Sequence, residues 1–84
     1  MDQDNMSSTH KLLIIMHNLS AVRPENSRSS TDLSKLVQIS DTEILTILEE
    51  FEKEGYVKSL SDAQNVKTFY LTGKGILKVC SYFT

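Results

Sequence analysis

Residues 40–57, SDTEILTILEEFEKEGYV, predict a helix with a defined start, one buried face and a defined end. Ser40 followed by Glu43 forms a capping box: the serine hydroxyl accepts from the backbone N–H of Glu43, and the glutamate reaches back to the N–H of Ser40. Gly55 supplies the left-handed residue that closes the helix. Its buried stripe is predicted to be Ile44, Ile47, Leu48 and Phe51.

The same stretch is strongly acidic. Residues 41–54 carry six carboxylates and one lysine, a net charge of −5. Residues 1–40 balance at four acids and four bases, and residues 55–84 sum to +3, from four lysines against Asp62. Binding to DNA phosphates needs cations, so the acidity of this helix argues against simple electrostatic binding.

Length and composition indicate one small domain. A chain of 84 residues buries a modest core, so we expect marginal stability or self-association. The one cysteine, Cys80, cannot form an internal disulfide, which favours a cytoplasmic or nucleoid-associated protein. The longest apolar run, residues 12–16, is too short to span a bilayer. We predict a flexible N-terminal tail at residues 1–7 and one domain at residues 8–84.

Two helices are predicted before the acidic one. The first covers residues 7–22 and ends before Pro24, because proline disfavours helical geometry in the residue that precedes it. A loop follows at residues 24–30, and Ser30 or Thr31 then caps a short second helix. The buried side of the second helix is predicted to be Leu33, Leu36 and Val37.

A hairpin and a last helix are predicted after the acidic one. Strand-like runs at residues 56–60 and 66–71 flank a polar loop of five residues, which is typical of a β-hairpin. Thr72 caps the last helix, and Gly73 and Gly75 are expected to destabilise its first turn. The order is helix, helix, helix, hairpin, helix, an α+β fold.

This order, with four short phrases, resembles the winged helix-turn-helix domain of small MarR-like and PadR-like regulators and their archaeal relatives. The phrases are TDLSKL at residues 31–36, IS at 39–40, KEGYV at 53–57 and FYLTGKG at 69–75. The resemblance covers nearly the whole chain. It implies a winged helix domain with three helices, a β-hairpin wing and a C-terminal helix, which binds double-stranded DNA and regulates transcription as a homodimer.

The resemblance also implies that the third helix enters the major groove with its N-terminal half. Thr42 and Thr46 face outward there, where hydroxyls can bond base edges or phosphate and methyls can contact thymine. The hairpin loop has no arginine or lysine, so insertion into the minor groove is unfavourable. The predicted phosphate-binding cations are Arg28, Lys35, Lys58 and Lys67, with Lys74 just beyond the hairpin.

The last helix has more apolar residues than one side of a terminal helix can bury, which predicts a homodimer interface. The residues predicted there are Leu77, Cys80, Tyr82 and Phe83. On its own, Cys80 is typical of a buried small apolar residue.

No enzyme is predicted. The sequence has no glycine-rich phosphate loop and no histidine paired with a plausible nucleophile, so we expect neither catalysis nor a cofactor. His10 and His17 lie seven positions apart, too far to share one metal ion without distortion.

The alternative function is a winged helix that contacts proteins, with the acidic third helix facing a basic partner. Replacing Glu49, Glu50 and Glu52 with glutamine distinguishes the two functions. These changes tighten DNA binding if DNA lies nearby, and they weaken the complex if a basic protein is the ligand.

Overall fold

The computed structural model describes residues 8–83, so the predicted flexible tail at residues 1–7 lies outside the described part, as does residue 84. The helices are α1 (Ser8–Asn18), α2 (Ser30–Val37), α3 (Asp41–Glu54) and α4 (Gly73–Ser81). The strands are β1 (Arg28–Ser29), β2 (Val57–Ser61) and β3 (Lys67–Leu71), and a 3-10 turn at Pro24–Asn26 precedes β1. The strands form an antiparallel sheet in the order β1-β3-β2. Both the α+β class and the order of helices and hairpin are confirmed.

None of the helices in residues 8–83 has the length and apolar character needed to cross a membrane.

Helix α3 begins and ends as predicted. The Ser40 hydroxyl accepts the N–H of Glu43 at 3.2 Å, and Gly55 closes the helix with a φ of 85°. The N–H groups of Gly55 and Tyr56 donate back to carbonyls of the last turn at 3.1 and 2.9 Å. This Schellman motif turns the chain directly from α3 towards β2.

Helix α1 ends at Asn18, and the predicted end at residue 22 is wrong. Ser20 adopts a left-handed φ of 58°, and the N–H groups of Ser20 and Ala21 donate back into the last turn at 3.0 and 2.9 Å. Ala21 is fully buried, and its carbonyl accepts the N–H of Leu71 at 2.7 Å. The helix stops early because this backbone carbonyl is bonded to β3. Pro24 begins the 3-10 turn instead.

The loop predicted at residues 24–30 contains a strand, β1, which pairs with Phe69 and Thr68 of β3. The hydroxyl of Ser27 also donates to the hydroxyl of Thr68 at 2.8 Å. Two residues are too few to show an alternating pattern, so the sequence carries no signal for this strand. The consequence is that β3 is the central strand of the sheet.

Helix α2 begins one or two residues earlier than predicted. The cap is Ser29, whose hydroxyl accepts the N–H of Asp32 at 3.1 Å, so neither predicted cap is correct. Leu33 is buried as predicted, but Leu36 is 50% exposed, which contradicts the predicted burial. Leu33 and Val37, one turn apart, occupy the inner side of this short helix, and Leu36 lies at its border.

The core joins the helices to the sheet. Its buried residues are Leu12, Leu13, Met16, Ala21, Leu33, Ile44, Leu48, Phe51, Val57, Phe69, Leu71 and Val79. Three of the four residues predicted for the inner face of α3 are among them, and the fourth, Ile47, is partly buried against them. The opposite face of α3 is therefore turned to solvent.

Helix α4 is capped as predicted, with the Thr72 hydroxyl accepting the N–H of Gly75 at 3.1 Å. The same hydroxyl donates to the carbonyl of Gly55 at 2.6 Å, which joins the start of α4 to the end of α3. The two glycines of α4 differ. A Cβ atom on Gly75 would collide with the backbone carbonyl of Tyr56, whereas a Cβ atom on Gly73 would meet open space.

Candidate nucleic-acid interface

Thr42 and Thr46 lie exposed on the N-terminal half of α3, as its helical phase predicts. The hydroxyl of Thr46 donates to the backbone carbonyl of Thr42 at 3.0 Å. The Thr46 proton is therefore committed to the helix, and its methyl group and oxygen lone pairs remain for a ligand. Within residues 8–83, the hydroxyl of Thr42 has no hydrogen-bond partner.

The carboxylates at the start of α3 have different surroundings. Asp41 accepts the hydroxyl of Thr31 at 2.9 Å, which ties α3 to the start of α2. Hydrogen bonds from the hydroxyls of Ser30 and Thr31 lower the pKa of Asp41. Only the hydroxyl half of the capping box is present in the described residues: the Glu43 carboxylate returns no bond to the N–H of Ser40 and is exposed.

The acidic residues farther along α3 also differ from one another. Glu52 contacts the hairpin: its Oε2 accepts the Ser59 hydroxyl at 2.8 Å, and its Oε1 lies 3.9 Å from Lys67 Nζ. Glu49 and Glu50 are exposed, and neither forms an ion pair within the part of the chain that the structure describes. The sequence pattern missed this role of Glu52, because all these glutamates look alike without the hairpin beside them.

The hairpin lysines lie on opposite faces of the sheet. The register pairs Lys58 with Tyr70, and Ser61 with Lys67. Side chains of alternate residues point to opposite faces, so Lys67 shares the side of buried Phe69 and Lys58 lies on the other. The two remaining predicted cations lie on elements other than the hairpin: Arg28 is half-buried in β1 and Lys35 is exposed on α2.

Lys74 is engaged at the end of α3. Its ammonium donates to the carbonyl of Glu54 at 2.8 Å and lies 5.5 Å from the centroid of the Tyr56 ring. A cation at a helix C-terminus interacts favourably with the helix dipole. A phosphate contact by Lys74 would have to compete with this bond.

The hairpin loop is closed by Asp62. Its Oδ1 accepts the N–H groups of Gln64 and Val66 at 2.8 and 2.9 Å, and Asn65 adopts a left-handed φ of 64°. The loop thus has a hydrogen-bonded turn and, at residues 62–66, no lysine or arginine.

The apolar residues predicted for self-association differ in exposure. Leu77 and Phe83 are 71% and 70% exposed. Cys80 is also exposed, so its predicted burial is wrong. The preceding residue, Val79, takes the inward position of α4, and consecutive residues on a helix point about 100° apart.

Tyr82 is the half-buried member of this set. Its ring lies 4.3 Å from that of His10, centroid to centroid. Burial raises the pKa of Tyr82, and the nearby Tyr56 adds to the effect. In the described part of the chain, no three His, Cys, Asp or Glu side chains come together as a metal site.

A groove of about 430 Å³ lies between α1, α2 and the C-terminal end of the described chain. It is lined by Lys11, Ile14, Ile15, Leu36, Val37, Gln38 and Phe83. The exposed side chain of Leu36 contributes to it. Sequence reasoning missed the groove because it depends on where the residues after α4 lie beside α2.

No protein-family model matches the chain, and no curated protein sequence does either. Solved structures do match. The DNA-binding TubR fragment from Clostridium botulinum is 26% identical, with a TM-score of 0.77 over 92% of this chain and 99% of that one. MepR, a transcription regulator of the Staphylococcus aureus multidrug efflux pump MepA, is 19% identical, with a TM-score of 0.76 over 98% of this chain.

A MepR–DNA complex is similar as well, at 20% identity and a TM-score of 0.70 over 98% of this chain. The chain spans 58% of the length of the MepR chain in the first MepR structure named above and 65% of its length in the MepR–DNA complex. In this chain, four helices surround a three-stranded antiparallel sheet, and α2 and α3 are followed directly by the hairpin. The TM-scores show that the fold is shared with these proteins. The chain therefore has the winged helix-turn-helix fold of the DNA-binding transcription regulators.

Proposed function

We propose that this chain is a small winged-helix transcriptional regulator that binds double-stranded DNA as a cytoplasmic homodimer and catalyses no reaction. The observation that carries the proposal is the exposed N-terminal half of α3, which presents Thr42 and Thr46 to solvent. The likeness to a MepR–DNA complex and to the DNA-binding TubR fragment supports it.

The two threonines have different roles in this proposal. Thr46 contacts thymine through its methyl group, because the proton of its hydroxyl is bonded to the Thr42 carbonyl. Thr42 can both donate and accept at a base edge or a phosphate. The cations available for phosphate contacts are Arg28, Lys35, Lys58 and, when it is released from Glu52, Lys67.

Two protomers are needed because one protomer has few cations for phosphate. Twofold symmetry doubles every contact and matches a palindromic site. The proposed interface uses the exposed apolar side chains of the C-terminal end, Leu77, Cys80 and Phe83, with the half-buried Tyr82. The alternative, an acidic α3 that binds a basic protein, is not favoured by the likeness to DNA-binding regulators.

Salt dependence tests the proposed function directly. We expect the native chain to bind a pool of mixed duplex DNA at low salt and to lose affinity steeply as salt rises. Each phosphate contact contributes about 0.9 to the steepness of log K against log salt. Four cations on each of two protomers therefore set the steepest slope at about −7. Fluorescence anisotropy at several salt concentrations measures it. A salt-insensitive complex, or no binding at low salt, contradicts the proposal.

Substitutions that remove one group at a time test the roles of the two threonines. Thr46→Val keeps the methyl group and loses the hydroxyl, so its DNA affinity should stay within about twofold of the native value. Thr46→Ser loses the methyl group and should weaken binding about fourfold per protomer, or about 15-fold for the dimer, from about 0.8 kcal/mol for each buried methyl. Thr42→Val should weaken binding by about two- to tenfold per protomer, the loss of one hydrogen bond on each. A larger loss of affinity in Thr46→Val than in Thr46→Ser would show that the hydroxyl, and not the methyl group, is the contact.

A further inference from the structure

One carboxylate of α3 has both of its oxygens directed at the hairpin. Glu52 Oε2 accepts the hydroxyl of Ser59 on β2 at 2.8 Å. Oε1 lies 3.9 Å from Nζ of Lys67 on β3. Glu52 thus bridges α3 to both strands of the hairpin, which are the two elements expected to lie closest to DNA.

The strand register explains why Lys67 reaches this carboxylate. Lys67 lies on the side of the hairpin that carries Phe69 and Leu71, both buried against the helices. Its ammonium lies 5.7 Å from the centroid of the Phe69 ring, so the side chain crosses that ring towards α3. Lys58, on the opposite face of the hairpin, has no ion pair within residues 8–83.

Neighbouring acids of α3 lack this arrangement. Glu50 is exposed and forms no ion pair within the described residues. The side chains of Glu52 and Lys67 keep 40% and 44% of their exposure. Solvated pairs of this kind contribute little to folding, so phosphate can compete for the lysine without unfolding the domain.

We propose that Glu52 is a positioning residue that holds the hairpin against α3 and withholds Lys67 from phosphate. The inference rests on the proposed DNA-binding function. Glu52 competes internally with DNA for one ammonium group, so the native protein binds DNA with one fewer phosphate contact per protomer than its lysines allow. The Ser59 bond keeps the hairpin in place whether or not Lys67 is paired.

The test is a double-mutant cycle between Glu52→Gln and Lys67→Ala, with Glu50→Gln as the matched control. Glutamine at position 52 removes the charge and still accepts the Ser59 hydroxyl. Lys67→Ala should change native DNA affinity by less than about twofold per protomer, but should lower the affinity of Glu52→Gln by about five- to tenfold per protomer. Glu52→Gln should also steepen the salt slope by about 0.9 per protomer, whereas Glu50→Gln should leave the slope unchanged.

A measurement without DNA separates the inference from the proposed function. The side-chain ε-methylene resonances of Lys67 should shift in Glu52→Gln and stay in place in Glu50→Gln. Unshifted resonances would show that Glu52 does not hold Lys67. An equal loss of DNA affinity on Lys67→Ala in the native chain and in Glu52→Gln would also overturn the inference. If neither the native chain nor Glu52→Gln binds DNA, both the proposed function and the competition with phosphate are wrong, and the resonances still decide whether Glu52 holds Lys67.

Discussion

Gly75→Ala is expected to destabilise the domain by about 3 kcal/mol, the upper part of the usual range for overpacking. A Cβ atom at Gly75 would collide with the carbonyl oxygen of Tyr56 and crowd a methyl group of Leu71. The Tyr56 carbonyl cannot simply move aside, because it accepts the N–H of Thr72 at 2.9 Å. This bond helps to join α4 to the start of β2, so the substitution disturbs both elements.

Gly73→Ala is the matched control two positions earlier in the same helix. Nothing lies within 4 Å of a Cβ atom at Gly73, so alanine there should be neutral or stabilising by up to about 1 kcal/mol. Urea unfolding followed by circular dichroism gives the free energy of unfolding of both variants. A similar change in both would show that helix propensity, and not the close approach to Tyr56, governs these positions.

The double variant Leu77→Glu/Phe83→Glu is expected to be a folded monomer with DNA affinity about 100-fold below that of the native chain. Both side chains are about 70% exposed in the single chain, so charge at these positions leaves the core intact. In the proposed homodimer the same charges would be buried against apolar surface, at high cost. A monomer lacks the contact with the second half-site. In linked binders, a second contact of this kind raises affinity by about 100-fold or more, so its loss should lower affinity by that factor.

Sedimentation velocity with and without duplex DNA measures this outcome. Ala63→Glu, which adds one negative charge at the exposed hairpin loop, is the control and should leave the oligomeric state unchanged. A double variant that remains dimeric would place the interface away from Leu77 and Phe83. A monomeric variant with native DNA affinity would contradict the requirement for two protomers.

Local signals in the sequence predicted the central part of the fold well. Helix α3 begins at its cap, Ser40, and ends at Gly55, and its apolar stripe needs only helical periodicity. These features depend on residues that are close together in the sequence. The outward position of Thr42 and Thr46 follows from the same periodicity. The hairpin was predicted for the same reason, since its strands and loop are contiguous.

Features that depend on distant residues were missed. Helix α1 stops early because Ala21 bonds to Leu71, fifty positions along the chain. Strand β1 exists only because β3 is beside it, and two residues carry no periodic pattern. The exposures of Leu36 and Cys80 were predicted wrongly because a neighbouring position in each helix faces the core.

The acidic helix shows the same division between sequence and structure. The sequence by itself determined that residues 41–54 form a capped amphipathic helix with two threonines outward and an excess of carboxylates, because caps, periodicity and charge are local properties. Only the tertiary structure decided what each carboxylate does. Asp41 is bonded to α2 and Glu52 to the hairpin, while Glu49 and Glu50 remain in solvent. Hydrogen bonds and ion pairs act over a few ångströms, so the surroundings of a charge are set by the elements that folding brings beside it.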